Sequence, residues 1–229
     1  MAFLQSKPPR EPFLHAPASV LWLIAVLAAA HIARIAAPAP LPDAILNDYA
    51  FIPARYGTGD LAGFALSFVS YIFLHLNFTH LGVNCLWLLA FGPIVARRYG
   101  TVLFLVFFMV CGAAGALASL VLMGNVNVSI IGASGAISGL MAAGIRLFPW
   151  PGLASQRAIA PILSRPVLLF SGTWLAANLL LAFTGFGVGG PWQPVAWQAH
   201  LGGYFAGLVS AGWFDAWRQL KLTKIFGAG

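Results

Sequence analysis

Gly132-Ala133-Ser134-Gly135-Ala136-Ile137-Ser138-Gly139 is the stretch on which the fold turns. It opens an apolar segment that runs to Phe148 and is closed by Pro149 and Pro151. Proline lacks a backbone N–H and disfavours helix in the residue before it, so the segment reads as a helix over 134–148. That is about 15 residues, or roughly 22 Å at 1.5 Å per residue. The hydrocarbon core of a bilayer is about 30 Å thick. If Arg146 and Trp150 mark one interface, Ser134 starts below the opposite surface. Residues 124–133 must then enter the membrane as non-helical backbone, which is tolerated only where protein or a water-filled cavity surrounds it. A submerged helix start that carries a serine implies a hydrated pocket.

Composition supplies the membrane. The chain has 229 residues, 60% hydrophobic and 7% charged, with a mean hydropathy of +0.88. A soluble domain carries about 25% charged residues, so this chain lacks the charge to cover a globule in water. There is room for roughly six spans of about 20 residues. The expected fold is all-α: a polytopic membrane domain over 20–217 with six transmembrane helices, the fourth short and sunken. The helices are read at 20–37, 79–95, 101–123, 134–148, 166–183 and 195–217. Residues 1–19 and 218–229 flank them as cytoplasmic segments. The first helix is stopped by Pro38, Pro40 and Pro42, and no small-residue cleavage site follows it, so it reads as retained rather than as a signal peptide. A long connection over 38–78 has a polar part and an apolar part, 61–78, that suits short interfacial helices.

Lysine and arginine positions set the orientation. With the N-terminus inside, Lys7, Arg10, Arg97, Arg98, Arg146, Arg157, Arg165, Arg218, Lys221 and Lys224 all fall inside, and only Arg34 and Arg55 outside. Five helices would put the basic C-terminus on the wrong face. The net charge of +7 is scattered between apolar runs, with no dense patch or aromatic interleaving, so no nucleic acid is implied. Cys85 and Cys111 lie in apolar runs with no metal-type spacing. No cofactor, metal or obligate protein partner is called for. The short termini and lack of a soluble domain point to a bacterial inner membrane, with both termini cytoplasmic.

By parity the second, fourth and sixth helices run in one direction. His80 and Asn84, Ser134, and His200 therefore lie on the same side of the membrane at similar shallow depths. A serine hydroxyl is a poor nucleophile until a base takes its proton, and histidine suits that task. His200 is the candidate base for Ser134. His80 and Asn84 are i and i+4 and share a helix face. Both can donate hydrogen bonds to an oxyanion, as can the free N–H at the helix start. No Asp or Glu lies near these histidines in sequence, so a Ser-His dyad is expected rather than a triad. Gly203 and Gly207 form a G-x-x-x-G pair after His200, and Gly135 follows Ser134. Such faces let helices approach closely enough for a direct Ser–His bond.

Gly132-Ala133-Ser134-Gly135, His80-x-x-x-Asn84 and Ala199-His200-x-x-Gly203-x-x-x-Gly207 together resemble the motifs of the rhomboid intramembrane serine proteases. The resemblance covers about residues 20–217. It implies hydrolysis of peptide bonds in or near the transmembrane segments of substrate proteins within the lipid bilayer. It assigns Ser134 as nucleophile, His200 as base, and His80 and Asn84 to the oxyanion. The 38–78 connection would be a lateral loop in the outer leaflet. Apart from the resemblance, the glycine content of the 184–194 loop suits a cap over the site that moves to admit substrate. Two departures stand out. The connection has no Trp-Arg pair, and Ser138 stands where many relatives carry an aromatic residue beneath the histidine.

Other readings are weaker. Gly57-Thr58-Gly59-Asp60 looks like the G-x-G-D of intramembrane aspartyl proteases, but no second aspartate occupies an apolar helix. A zinc protease is excluded by the lack of H-E-x-x-H; Glu11 is the one glutamate. A channel or transporter finds no charged residue lining the expected helix interiors. A non-catalytic adaptor that binds transmembrane clients would use the same small-residue faces, but it leaves the pairing of Ser134 with His200 without a purpose. Single residues have plainer uses: His75 fixing its loop, His31 and Arg34 at the interface, Asn178 bonding a neighbouring helix, and Trp192 and Trp197 in an aromatic belt. The parity argument is directly testable. A cysteine placed at Asn125 should react with an impermeant maleimide only from the side opposite the C-terminus, and labelling from the C-terminal side would overturn the six-helix topology.

Overall fold

The computed structural model describes residues 16–57, 59–151, 153, 158–184 and 196–226, with side chains to Leu220. Lys7, Arg10, Thr58, Arg157, Trp192, residues 185–194 and the side chains of Lys221 and Lys224 lie outside the described residues. The chain is all-α. Among the described residues eight α-helices follow in order: α1 (Ala18–Ala36), α2 (Leu41–Tyr49), α3 (Leu61–Ser70), α4 (Phe78–Tyr99), α5 (Thr101–Met123), α6 (Ser134–Leu147), α7 (Arg165–Thr184) and α8 (Trp197–Phe226). Short 3-10 turns cover Pro53–Arg55 and Tyr71–Phe73. The six expected apolar helices correspond to α1, α4, α5, α6, α7 and α8.

Four of these, α1, α4, α5 and α7, are long and apolar enough to cross a membrane. Their outward faces carry large apolar side chains such as Trp22, Val102, Val121 and Phe183. Apolar surface of that extent is the mark of a lipid-facing protein. The protein is an integral membrane protein.

At the centre stands α6. It has 14 residues, and 12 of them are buried. It packs on α4, α5 and α8. A helix walled in by other helices does not need an apolar outer face, which accounts for its Gly, Ala and Ser content. The contact with α8 is made glycine to glycine. A Cβ on Gly203 would overlap the carbonyl of Gly135, and one on Gly207 would overlap the backbone of Gly139. A Cβ on Gly115 of α5 would lie 2.7 Å from the Ala199 carbonyl oxygen. The backbones of α5, α6 and α8 touch where any side chain would hold them apart.

The backbone before α6 is non-helical, and its polar groups are taken up by the connection between α1 and α4. Phe51 and Ile130 exchange two bonds, at 3.0 and 2.8 Å. Ala54 N–H donates to Val126 at 3.2 Å, and Gly132 N–H to Tyr71 at 2.9 Å. The connection therefore serves as a scaffold for the start of α6.

Several expectations are corrected. The connection contains a helix at α2 that sequence reading did not mark. Pro93 lies inside α4, which continues through Arg97 and Arg98 to Tyr99. α8 continues in helical form past the expected end at 217, as far as Phe226. Arg98 of α4 forms a salt bridge with buried Asp215 of α8, its Nη2 2.8 Å from Oδ2. That bridge fastens the two helices beyond the apolar boundary. Arg146 is also buried, its Nε donating to Ala160 O at 3.0 Å and its Nη1 donating to Leu208 O. Charged groups thus do stand between the helices, contrary to the sequence reading, because each is held by an acceptor.

Replacing Gly207 with valine should lower the unfolding midpoint in detergent by the equivalent of about 1–3 kcal/mol, the usual range for overpacking. Gly172→Ala, where a Cβ meets nothing within 4 Å, should instead raise it slightly through helix propensity.

Candidate active site

The site is assembled from the start of α4, the start of α6 and the first turns of α8. Asn77 caps α4, its Oδ1 accepting the backbone N–H of His80 at 2.8 Å. Side-chain caps of this kind fix a helix start, and here the cap sets the position of His80. One turn on, Asn84 is buried and its Nδ2 donates to the His80 carbonyl at 3.0 Å. The His80 ring takes the Leu76 N–H on Nδ1 at 3.4 Å. That acceptor role leaves the proton on Nε2. The Nε2 edge faces Gly132, where a Cβ would lie 2.8 Å from Nε2 and 2.7 Å from Cε1.

Gly132 is the turn that makes α6 possible. Its φ of +119° is open to glycine and rarely to other residues. The chain then enters α6 at Ser134, whose own N–H precedes the first intrahelical donor, Ile137 N–H to Ala133 O at 2.9 Å. Ser134 Oγ lies 2.7 Å from His200 Nε2. On the far side of the ring, His200 Nδ1 lies 2.8 Å from Oδ1 of Asn178 on α7. Asn178 is 5% exposed, and its Nδ2 donates to Trp197 O at 3.4 Å.

Ser134, His200, His80 and Asn84 all line one cavity of about 500 Å³. Apolar side chains of α4 and α7, among them Trp87, Phe91, Phe170 and Trp174, form its walls. A serine hydroxyl against a histidine nitrogen, with N–H donors nearby and apolar walls, is an arrangement suited to acyl transfer. Among the described residues no group of three or more His, Cys, Asp or Glu could hold a metal ion.

A family model for the rhomboid domain matches residues 63–217. The chain belongs to the rhomboid family. It is similar to Rhomboid protein 1, mitochondrial, of Saccharomyces cerevisiae, 31% identical over 173 residues. That match takes in 74% of this chain and 46% of the relative, so the chain spans about half the length of the curated relative it matches. The expected bacterial location draws no support from a relative that is mitochondrial by name.

As a rhomboid, this chain fills the place beneath the histidine with a small hydroxyl. Ser138 Oγ donates to Ser134 O at 2.8 Å, while the hydrogen bonds of the His200 ring go to Ser134 and Asn178. Sequence reading had taken Asn178 for a simple interhelical bond. A polar residue inside an apolar helix was the available signal; its partner was not readable. The plainer readings also shift. His31 and Arg34 are buried, not interfacial, at 1% and 8% exposure. Arg34 donates to the backbone carbonyl of His75 at 2.9 Å, so His75 fixes its loop through its main chain. Asp60 caps α3 by accepting Gly63 N–H at 2.9 Å, which gives the aspartate of the G-x-G-D stretch a structural use.

Gly132→Ala should cost about 1–3 kcal/mol of backbone strain and also press on His80. Gly124→Ala shares a positive φ but meets nothing within 4 Å. Unfolding midpoints of the two variants should therefore differ, with Gly132→Ala the lower.

Proposed function

We propose that the chain is an intramembrane serine endopeptidase that cleaves transmembrane or membrane-proximal segments of membrane proteins with a Ser-His dyad. The observation that carries this reading is the 2.7 Å approach of Ser134 Oγ to His200 Nε2 inside an apolar cavity. Membership of the rhomboid family supports it. In this reading six helices cross the bilayer and α6 is the short one. Its start lies below the surface, and the cavity opens to the side opposite the basic termini.

The chemistry follows from the donors and acceptors in place. His200 Nε2 accepts the proton as Ser134 Oγ attacks the scissile carbonyl carbon. The carbonyl oxygen takes the negative charge and meets His80 Nε2–H, Asn84 Nδ2 and the Ser134 backbone N–H. Collapse breaks the C–N bond, and His200 returns its proton to the leaving amine. Water then attacks the acyl-enzyme as His200 takes its proton; collapse breaks the C–Oγ bond, His200 returns the proton to Ser134 Oγ, and the acid leaves. The apolar walls from α4 and α7 receive a substrate helix, which must unwind locally because a helical peptide bond is shielded from the nucleophile. No cofactor takes part.

Reconstitution into vesicles with a single-span reporter tests the proposal. The parent protein should cut the reporter, Ser134→Ala should give no product, and His200→Ala should lose roughly 10²–10⁴-fold in rate. If the parent and Ser134→Ala cut equally, or neither cuts, the protease reading fails. Retained reporter binding without cleavage in every preparation would favour the adaptor.

A further inference from the structure

α7 is the least embedded of the long helices. Of its 20 residues only Val167 and Asn178 are buried. An asparagine at one of two buried positions on a helix otherwise turned outward is costly in an apolar setting unless both ends of its amide are used. Both are used. Nδ2 donates to the Trp197 carbonyl, which can only accept, so the amide is fixed with Oδ1 toward His200. Oδ1 can only accept, so His200 Nδ1 carries the proton and Nε2 is left bare toward Ser134. The orientation of one amide thereby selects the tautomer that a general base needs.

Asn178 does not act alone on its helix. Ser171, Trp174 and Asn178 are spaced i, i+3 and i+7 and share one face. Ser171 Oγ lies 2.7 Å from the Tyr204 hydroxyl, and Trp174 stacks on the Tyr204 ring at 4.0 Å and 17°. Tyr204 stands one turn after His200 on α8. The seam thus ties α7 to the face of α8 that bears the base.

Resting on the serine-protease reading above, we propose that Asn178 is a positioning residue that holds His200 in its Nδ1–H tautomer and makes the base's alignment conditional on α7 being seated against α8. Ser138, in the place beneath the histidine, supplies no such contact. Asn178 touches neither the nucleophile nor the scissile bond.

The test has three readouts. In histidine-¹⁵N-labelled protein the His200 signals, assigned by their loss in His200→Ala, should show a protonated Nδ1 and an unprotonated Nε2; the opposite tautomer overturns the proposal without any change at Asn178. In reporter cleavage, Asn178→Leu should lower kcat by about 10–100-fold with KM within about 2-fold, the scale of one buried hydrogen bond. Asn178→Asp, which keeps an oxygen at that place, should recover at least part of it. An unchanged kcat in Asn178→Leu, or an equal loss in Asn178→Asp, overturns the positioning role. Ser171→Ala loosens the seam without touching His200. It should lower kcat a few-fold in the parent and have no further effect in Asn178→Leu; additive losses would overturn the link to α7. A parent protein that never cleaves sinks the protease reading instead, while the tautomer measurement still reports on Asn178.

Discussion

Everything at this site depends on how closely α6 and α8 approach. Lipid tails are as apolar as leucine, so helices in a bilayer gain little from hiding apolar surface against each other. Dispersion contacts and hydrogen bonds between backbones in close contact must supply the association. Gly135 and Gly139 on α6 face Gly203 and Gly207 on α8, and a single Cβ at Gly203 or Gly207 would overlap the opposite backbone. The same spacing brings Ser134 and His200 to hydrogen-bond distance. Packing and site geometry are thus one constraint: a pair of larger side chains would separate the helices and the Ser134–His200 pair together.

Close backbones alone do not fix how one helix is rotated or shifted along another. Polar ties at the two ends do that. At the basic end, Arg98 pairs with Asp215, while Arg146 bonds the carbonyls of Ala160 and Leu208. At the other end stands the chain Ser134–His200–Asn178. In a low-dielectric interior such bonds are strong, and a missing partner is costly. Register is therefore held from both ends, with the glycine contact between them.

The helices and the candidate site residues are legible because they rest on local rules. Apolar runs, prolines and the Gly132–Gly139 stretch locate α1, α4, α5, α6, α7 and α8, and the parity argument groups Ser134, His80, Asn84 and His200, which do line one cavity. What escaped depends on partners distant in sequence. Asp215 reads as one acid in a C-terminal run until Arg98, 117 positions earlier, is seen against it. Asn178 reads as generic until Trp197 and His200 show which way its amide faces. α2 escaped because prolines and acids mark its segment as loop, although Pro at a helix start is well tolerated. His31 and Arg34 were misplaced because helix position alone does not tell a headgroup-facing end from one covered by the following connection.

These contacts divide the molecule unevenly. α5, α6 and α8 form a body in which backbones touch, and α4 is tied to it through Arg98 and Asp215. α7 lies against that body through limited contacts with α6, α8 and Phe91 of α4, with most of its surface turned outward. Yet α7 supplies one wall of the cavity and the acceptor for His200. On the protease reading proposed above, a site that admits a transmembrane segment needs a wall that is weakly held, whereas hydrolysis needs a base that is firmly oriented. Placing the orienting amide on the weakly held wall reconciles the two demands. If His200 is the base and Asn178 its positioning residue, as proposed above, the base is fully aligned only when that wall is home, and the same seam that would let the wall move would also govern the activation of Ser134.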